Sequence, residues 1–414
     1  MYMKQISQEL QHYIDRYFQP LHNSIYNGLV FSPAQKNFIL SLHDKIIKGH
    51  LAWFENRKAI EDSLPSPKPK PSNYSYIPSF FIQKIENNLH TQKHYQFNIG
   101  KRKVSITFYV DSEKHFSRKM WQHCLQKIYI WLHVASKYAS DRCSPDLRIF
   151  IYLNPDPKKM PKGSQEINRT NANTAFTTSC TETTEIHLYR EEEWYKVFIH
   201  ETFHSLGMDF STMDSSRYSD QIKELYGLNP NMKDIRLYES YSEICAEFVH
   251  ACMFTHFEMI KSRGNTKDLG DFDEKLRYYL SYEITFSIVQ SIKILHHYKL
   301  HANDVCTNSD SAKENMHDKY KEGTAMFSYF IVKSVLIFYV SDFIQWIMTH
   351  NRNSFDFSKT DKNIKAYVDF ISSRRTQRKY YDAMNMAESL YIASNYHKLS
   401  NSAGFTTLRM TMFE

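Results

Sequence analysis

The sequence predicts an α+β protein in which a small mixed sheet lies between largely helical regions. Near the start, apolar residues recur at helical spacing, as in Leu10, Tyr13, Ile14 and Phe18. From about residue 95 the pattern changes to alternating apolar and polar residues, which is typical of strands. With 42% hydrophobic residues and only 10 Gly and 12 Pro, the composition excludes collagen-like, mucin-like and wholly disordered classes.

Four regions are expected along the 414 residues. Residues 1–63 form an N-terminal helical region. Residues 64–72, LPSPKPKPS, form an extended linker, because alternating Pro and Lys forbid a helix. Residues 73–265 form the α+β core, and residues 266–414 form a C-terminal helical domain that closes with a short strand in FTTLRMTMF.

Within the core, the sequence predicts a sheet interrupted by one long helix. YQFNIGKRKVSITFYV alternates on both sides of a Gly-containing turn and indicates a hairpin. A helical pattern follows over residues 113–139, and then a strand over residues 147–153. NTAFTTSC, residues 173–180, and TEIHLYR, residues 184–190, are two further strand candidates that lie directly before the most informative segment.

Charge and cysteine usage favour an intracellular protein without a nucleic-acid or membrane partner. The net charge is +7, but Lys and Arg are spread among 45 acidic residues, so no basic stripe is expected. Six scattered cysteines without a CxxC pair, and no secretory segment before them, favour a reducing compartment. The most apolar stretch, residues 326–348, is interrupted by Lys333 and Asp342, which favours a buried helix over a membrane span.

The segment EEEWYKVFIHETFHSLG contains His200, Glu201 and His204 in the order His-Glu-x-x-His. On a helix, residues four apart lie one turn apart on the same face, so both imidazoles can bind one ion while Glu201 reaches a nearby water. Three glutamates, residues 191–193, are expected in the first turn, where they suit the helix dipole. Gly207 is expected to end the helix.

Residues 197–206 resemble the extended signature of the zincin superfamily of zinc metallopeptidases: a Val three residues before the first His, uncharged residues inside the motif, and an apolar residue two positions after the second His. The resemblance implies a zincin-like core in which His200 and His204 bind Zn²⁺ and Glu201 is the general base that activates zinc-bound water. The metzincin pattern would place the third ligand at Phe210, and Asp209 is one position out of register.

The third ligand is expected on the predicted helix LYESYSEICAEFVHACM, where Glu239, Glu243, Glu247 and His250 share one face. Ser-Glu-Ile-Cys-Ala-Glu, residues 242–247, resembles the second element of gluzincin peptidases. That resemblance implies that Glu243 binds zinc and that Glu247 orients a zinc histidine. A shift of one helical turn, with Glu239 as the ligand and Glu243 as the orienting group, remains open.

An oxyanion donor and a substrate-binding strand complete the expected site. His250 is the first choice as donor because it lies on the polar face, and His256, Tyr238 and Tyr241 are alternatives. The strand in residues 173–180 precedes the motif helix as the edge strand does in zincin folds, so an extended substrate could add to it.

Residues 190–210 followed by ESYSEICAE are also similar to uncharacterised metallopeptidase-like proteins of large DNA viruses. These resemblances imply a zinc metallopeptidase, an endopeptidase, that hydrolyses protein or peptide substrates in the cytoplasm, or in the host cytoplasm or virion if the source is viral. The alternative is a catalytically silent structural or virion protein that retains the fold. An aminopeptidase would need a GxMEN-like element, which is absent from the sequence.

Overall fold

A five-stranded mixed sheet packed among helices forms the framework of the computed structural model, which confirms the α+β class. The predicted linker, residues 64–72, lies outside the described residues, as do the expected region boundaries. The structure describes residues 2–60, 76–89, 91–110, 118–232, 235–263, 271–396 and 403–414.

The sheet has the strand order β1-β2-β3-β5-β4. The predicted hairpin is confirmed, since β1 (Thr91–Ile99) pairs antiparallel with β2 (Arg102–Val110). β3 (Asp146–Tyr152) is parallel to β2 and to β5 (Thr183–Leu188). The short β4 (Ala175–Thr177) pairs antiparallel with β5 at the edge of the sheet. Both expected strands that precede the His-Glu-x-x-His motif are therefore present.

Helices account for most of the remaining described chain. Those before the motif are α1 (Tyr2–Tyr17), α2 (Gln19–Gly28), α3 (Pro33–Asn56), α4 (Ser79–Asn88), α5 (Arg118–Ala135) and α6 (Arg169–Ala172). Those from the motif onward are α7 (Trp194–Ser205), α8 (Ser216–Tyr226), α9 (Leu237–Arg263), α10 (Phe272–His297), α11 (Ala302–Cys306), α12 (Asp310–Lys319), a π-helix (Phe327–Val332), α13 (Lys333–Phe338), α14 (Val340–His350), α15 (Asp361–Arg375), α16 (Arg378–Tyr396) and α17 (Ala403–Thr406).

One hydrophobic cluster joins the N-terminal helices, one face of the sheet and the C-terminal helices. Helix α10 packs against α2, α9, α13 and α16, so it connects elements from three of the four expected regions. A smaller cluster, which includes Phe81, Tyr109 and Tyr152, involves α4 and side chains of the sheet. The large hydrophobic cluster contains residues from all three of the expected folded regions, so it does not separate them. The division into domains stays a prediction.

The apolar stretch 326–348 is not one helix. It is divided into the π-helix, α13 and α14, and the chain bends by 91° between Phe338 and Val340. Among the described residues, no single helix is long and apolar enough to cross a membrane, and only this bent pair meets both criteria when its parts are taken together. Lys333 is buried in this stretch, where its ammonium donates to Glu247 at 2.6 Å.

The strand predicted in FTTLRMTMF is wrong. In its place α17 is followed by a single bridge between Thr407 and Lys159, and the 408–414 segment then runs buried without a partner strand among the described residues. Its backbone amides donate to side-chain carboxylates instead. Glu193 accepts from the amides of Met410 and Thr411, and Glu283 accepts from those of Met412 and Phe413.

Candidate metal centre

The His-Glu-x-x-His motif lies on α7, which is buried along its whole length. The helix packs between strands β4 and β5 on one side and α9 on the other. The indole nitrogen of Trp131 on α5 donates to the Thr202 hydroxyl at 2.7 Å and ties a third element to the motif. Because the residues of α7 around the motif are mostly uncharged, the helix can be covered on several sides while its histidines point to one place.

The start of α7 differs from expectation. Glu191 and Glu192 precede the helix, and Glu193 occupies its N-cap position with φ 59°, without a side-chain capping hydrogen bond. The expected arrangement of three glutamates in the first turn is therefore wrong. The Glu193 carboxylate turns instead to the buried ammonium of Lys158 at 2.6 Å and to the 408–414 segment, because a buried carboxylate needs a charged or hydrogen-bonding partner.

Gly207 ends the helix as predicted, with φ +64°. A Cβ atom there would lie 2.8 Å from Sγ of Cys143, which forms a disulfide with Cys180. The Cys180 amide donates to the carbonyl of Ser205 at 3.2 Å, so the bridge lies directly against the last turn of α7. The bond differs from the expectation of reduced cysteines, which rested on their scattered spacing; the remaining four, Cys124, Cys245, Cys252 and Cys306, are free.

Three side-chain atoms from α7 and α9 form a nearly regular triangle. Nε2 of His200 lies 3.0 Å from Nε2 of His204, and Oε2 of Glu239 lies 3.2 Å from the first nitrogen and 3.3 Å from the second. Ligands of a tetrahedral Zn²⁺ at bond lengths of about 2.0–2.1 Å are separated by roughly 3.3 Å. The three atoms therefore fit one face of a zinc coordination tetrahedron.

Carboxylates also approach the opposite nitrogens of both rings. Oε2 of Glu243 lies 2.9 Å from Nδ1 of His200, and Oδ2 of Asp209 pairs with Nδ1 of His204. Asp209 is itself held by the hydroxyls of Ser211 and Ser242. A carboxylate on Nδ1 keeps Nε2 available for a metal and makes the imidazole a stronger ligand.

Glu243, predicted to be the third ligand, is therefore on the far side of His200, whereas Glu239 faces both Nε2 atoms. Glu243 is drawn there by Lys196, whose ammonium pairs with its Oε1. Lys196 lies one turn before His200 on α7, and this buried lysine was the sequence signal that could have distinguished the two glutamates. Glu247, expected to orient a histidine, pairs with Lys333 instead.

The charges around the triangle favour a cation. Burial opposes ionisation of Glu239, but His204 and His200 outweigh it and hold the pKa of this carboxyl well below its ordinary value. Burial likewise disfavours protonated His204, yet Asp209 and Glu239 raise its pKa well above the ordinary value. Three carboxylates thus surround the two imidazoles with negative charge. That charge would favour a divalent cation, which replaces the ring protons when the histidines bind it.

Glu201 follows His200 on α7, and the residue is buried, with 7% of its surface exposed. Burial raises the pKa of Glu201. His200 and His204 are 5% and 7% exposed, so the centre is recessed but retains some contact with solvent. Two tyrosines lie beside the centre, of which only Tyr238 was a candidate from the sequence. The ring of Tyr238 is 5.8 Å from that of His204, and the ring of Tyr329, on the π-helix, is 6.1 Å from that of His200.

His250 does not join this group. It lies eleven residues after Glu239 on α9, about 16 Å along the helix axis. Its ring packs against Tyr195 at 5.9 Å, and burial, followed by the charges of Lys127 and Lys196, lowers its pKa to about 3. The prediction of His250 as oxyanion donor is therefore corrected: it is too far from the two motif histidines. Residues on one face of a long helix can lie in different environments.

The other donor candidates have different surroundings. His256 is hydrogen-bonded to two further histidines away from the triangle, and the Tyr241 hydroxyl donates to the carbonyl of Phe355. Tyr238 is the one candidate from the sequence whose ring lies beside a motif histidine. Strand β4 is at the sheet edge and packs against α7, as expected for residues 173–180.

The chain was compared with models of protein families, with curated proteins and with solved structures. No match was found in any of the three comparisons. The zincin resemblance therefore depends on the motif residues quoted above, and the case for a metal centre depends on the triangle formed by His200, His204 and Glu239.

Proposed function

We propose that this protein is a zinc-dependent metallopeptidase whose metal is held by His200, His204 and Glu239. The observation that carries the proposal is the triangle of two Nε2 atoms and one carboxylate oxygen, with sides of 3.0–3.3 Å. Two histidines and one carboxylate from two helices are the ligand set of catalytic zinc sites that leave a position open. Structural zinc sites use four protein ligands.

The residues around the triangle have separate roles. Glu243 and Asp209 orient the two imidazoles, and Lys196 holds Glu243 in place. When bound, zinc would lower the pKa of a water and polarise the substrate carbonyl. Glu201 would take the proton of the attacking water on its carboxylate and return it to the leaving amide nitrogen. The rings of Tyr238 and Tyr329 flank the histidines and limit the space for substrate.

The decisive experiment is metal analysis combined with proteolysis assays on the wild type and on Glu201→Gln. The variant is expected to keep its tightly bound zinc, because Glu201 is not among the three ligands, while hydrolysis of protein substrates disappears. If Glu201→Gln loses its zinc but keeps its activity, the assignments of Glu201 as general base and of zinc as the catalytic metal are both contradicted.

Substrate choice separates the proposed endopeptidase from other classes. An endopeptidase should cleave protein substrates and leave amino-terminal chromogenic substrates intact, whereas an aminopeptidase should show the reverse. If zinc-loaded wild-type protein cleaves neither, the alternative of a structural or virion protein with a silent centre would be favoured.

A further inference from the structure

A second group of metal-ligating side chains lies away from the motif, where the end of α10 meets α11 and α16. His296 is in the last turn of α10, His301 directly precedes α11, and Glu388 is in the middle of α16. Each offers one ligand atom, and the three atoms lie within 4.8 Å of one another. The three residues come from separate elements, so their convergence is not a product of helical spacing.

Both imidazoles point at the same carboxylate oxygen. Oε1 of Glu388 lies 2.7 Å from Nε2 of His296 and 2.9 Å from Nδ1 of His301. The other oxygen, Oε2, accepts from the backbone amide of Ala302 at 3.1 Å, which fixes the carboxylate. The rings are 5.6 Å apart and inclined at 76°, so the two nitrogens approach Oε1 from different directions.

We propose that His296, His301 and Glu388 form a second site for a divalent transition ion of the Zn²⁺ class. Two imidazoles and one carboxylate are the ligands that such ions prefer, whereas Ca²⁺ and Mg²⁺ prefer oxygen ligands throughout. The observed separations are hydrogen-bond distances, so the ligand atoms must move apart by about half an ångström to reach the roughly 3.3 Å of a zinc tetrahedron. His301 has room to move, since its side chain is 62% exposed.

The site differs from the motif centre in its exposure to solvent and in the expected effect of metal binding. The exposed side of His301 leaves space for water as a further ligand. An ion here would join the end of α10 to α16 across the start of α11. Because the ion would hold three elements together, its occupation should stabilise the fold, and the test of this site is binding and stability, separate from hydrolysis at the motif centre.

Zinc titration of the metal-stripped, full-length protein tests this inference. The wild type should bind two equivalents of zinc. His301→Asn should bind one equivalent tightly, and its zinc affinity at the second site should be at least tenfold weaker. Glu388→Gln should behave in the same way and provides a second variant. His317→Asn is the matched control, because His317 is 51% exposed and lies 3.0 Å from Asp318 but has no second histidine in that pair; it should keep both equivalents.

Thermal unfolding gives a readout that does not depend on activity. Zinc in excess of the first equivalent should raise the melting temperature of the wild type and of His317→Asn but not of His301→Asn. A His301→Asn variant that binds as many equivalents as the wild type would overturn the inference, whatever the occupancy of the motif centre. A protein that binds two equivalents and hydrolyses nothing would contradict the proposed peptidase function alone.

Discussion

At the scale of single residues, the orientation of the motif histidines depends on side chains that are not metal ligands. Lys196 draws Glu243 to the far side of His200, and this leaves Glu239 to face the two Nε2 atoms. Asp209 does for His204 what Glu243 does for His200. The two carboxylates on α9 are one turn apart and chemically identical, so their roles are set by partners on α7.

Replacing the two glutamates separately should distinguish these roles. Glu239→Gln is expected to abolish tight zinc binding, because it neutralises a ligand, whereas Glu243→Gln should weaken binding by about 10- to 100-fold, because it only loses the partner of His200. Competition with a chromogenic chelator measures both affinities. If the two variants are affected in the reverse order, Glu243 is the ligand.

Asp209 provides an independent test of the orienting role. Asp209→Asn should reduce zinc affinity by about 10- to 100-fold, since an amide is a weaker acceptor for the Nδ1 hydrogen of His204. Asp214→Asn is a suitable control, because Asp214 accepts the same kind of hydrogen bonds from the serine two residues later, Ser216, but pairs with no histidine in the described part of the chain. Equal affinity in the two variants would argue against the assigned role.

At the scale of elements, the sequence predicted the helices and strands that form the centre better than it predicted the contacts between them. Apolar periodicity located α7, α9 and the strands before them, because burial of one face leaves a regular pattern. It did not locate the disulfide, the N-cap position of Glu193, or the course of the 408–414 segment. These features depend on contacts between residues far apart in the chain, so the local periodicity of the sequence does not indicate them.

The disulfide supports the end of α7, so its removal should loosen the motif helix. Cys143→Ser/Cys180→Ser is expected to lower the free energy of unfolding by about 4 kcal/mol, since the bond joins residues 37 apart in the sequence. Denaturant unfolding of the wild type with and without reductant measures the same difference. Reductant should not change the free energy of unfolding of the double variant. If reductant lowers it as much as in the wild type, the effect does not come from this disulfide.

At the scale of the whole molecule, three buried histidines connect α3 to α9 and to α5. Nε2 of His43 lies 3.2 Å from Nδ1 of His256, whose Nε2 lies 2.9 Å from Nδ1 of His50. The Gln126 amide on α5 lies 2.8 Å from Nε2 of His50. Neutral rings can satisfy this series of hydrogen bonds in one direction, because a carboxamide nitrogen only donates.

These histidines should make the fold sensitive to acid. Burial lowers the pKa of His256 to about 2, and that of His43 and His50 to about 4. In the unfolded chain each ring gains a proton near pH 6.5, whereas the native rings stay neutral until lower pH, so stability falls as the pH drops below about 6.5. Each histidine contributes at most about 1.4 kcal/mol per pH unit to this loss.

Denaturant unfolding between pH 7 and pH 5 measures the effect. His256→Gln is expected to be less stable than the wild type at pH 7 but to have a shallower pH dependence, by about one proton. His12→Gln, at an exposed position, is the control and should keep the wild-type slope. An unchanged slope in His256→Gln would show that this ring does not remain neutral in the native state.

The 408–414 segment shows that a buried stretch can be secured without belonging to a sheet. Its four consecutive amides, from Met410 to Phe413, are shared between the carboxylates of Glu193 and Glu283. In deuterated solvent these hydrogens should exchange as slowly as those in a central strand, although no ladder protects them. Their exchange would then report whether the α7 N-cap and α10 remain joined.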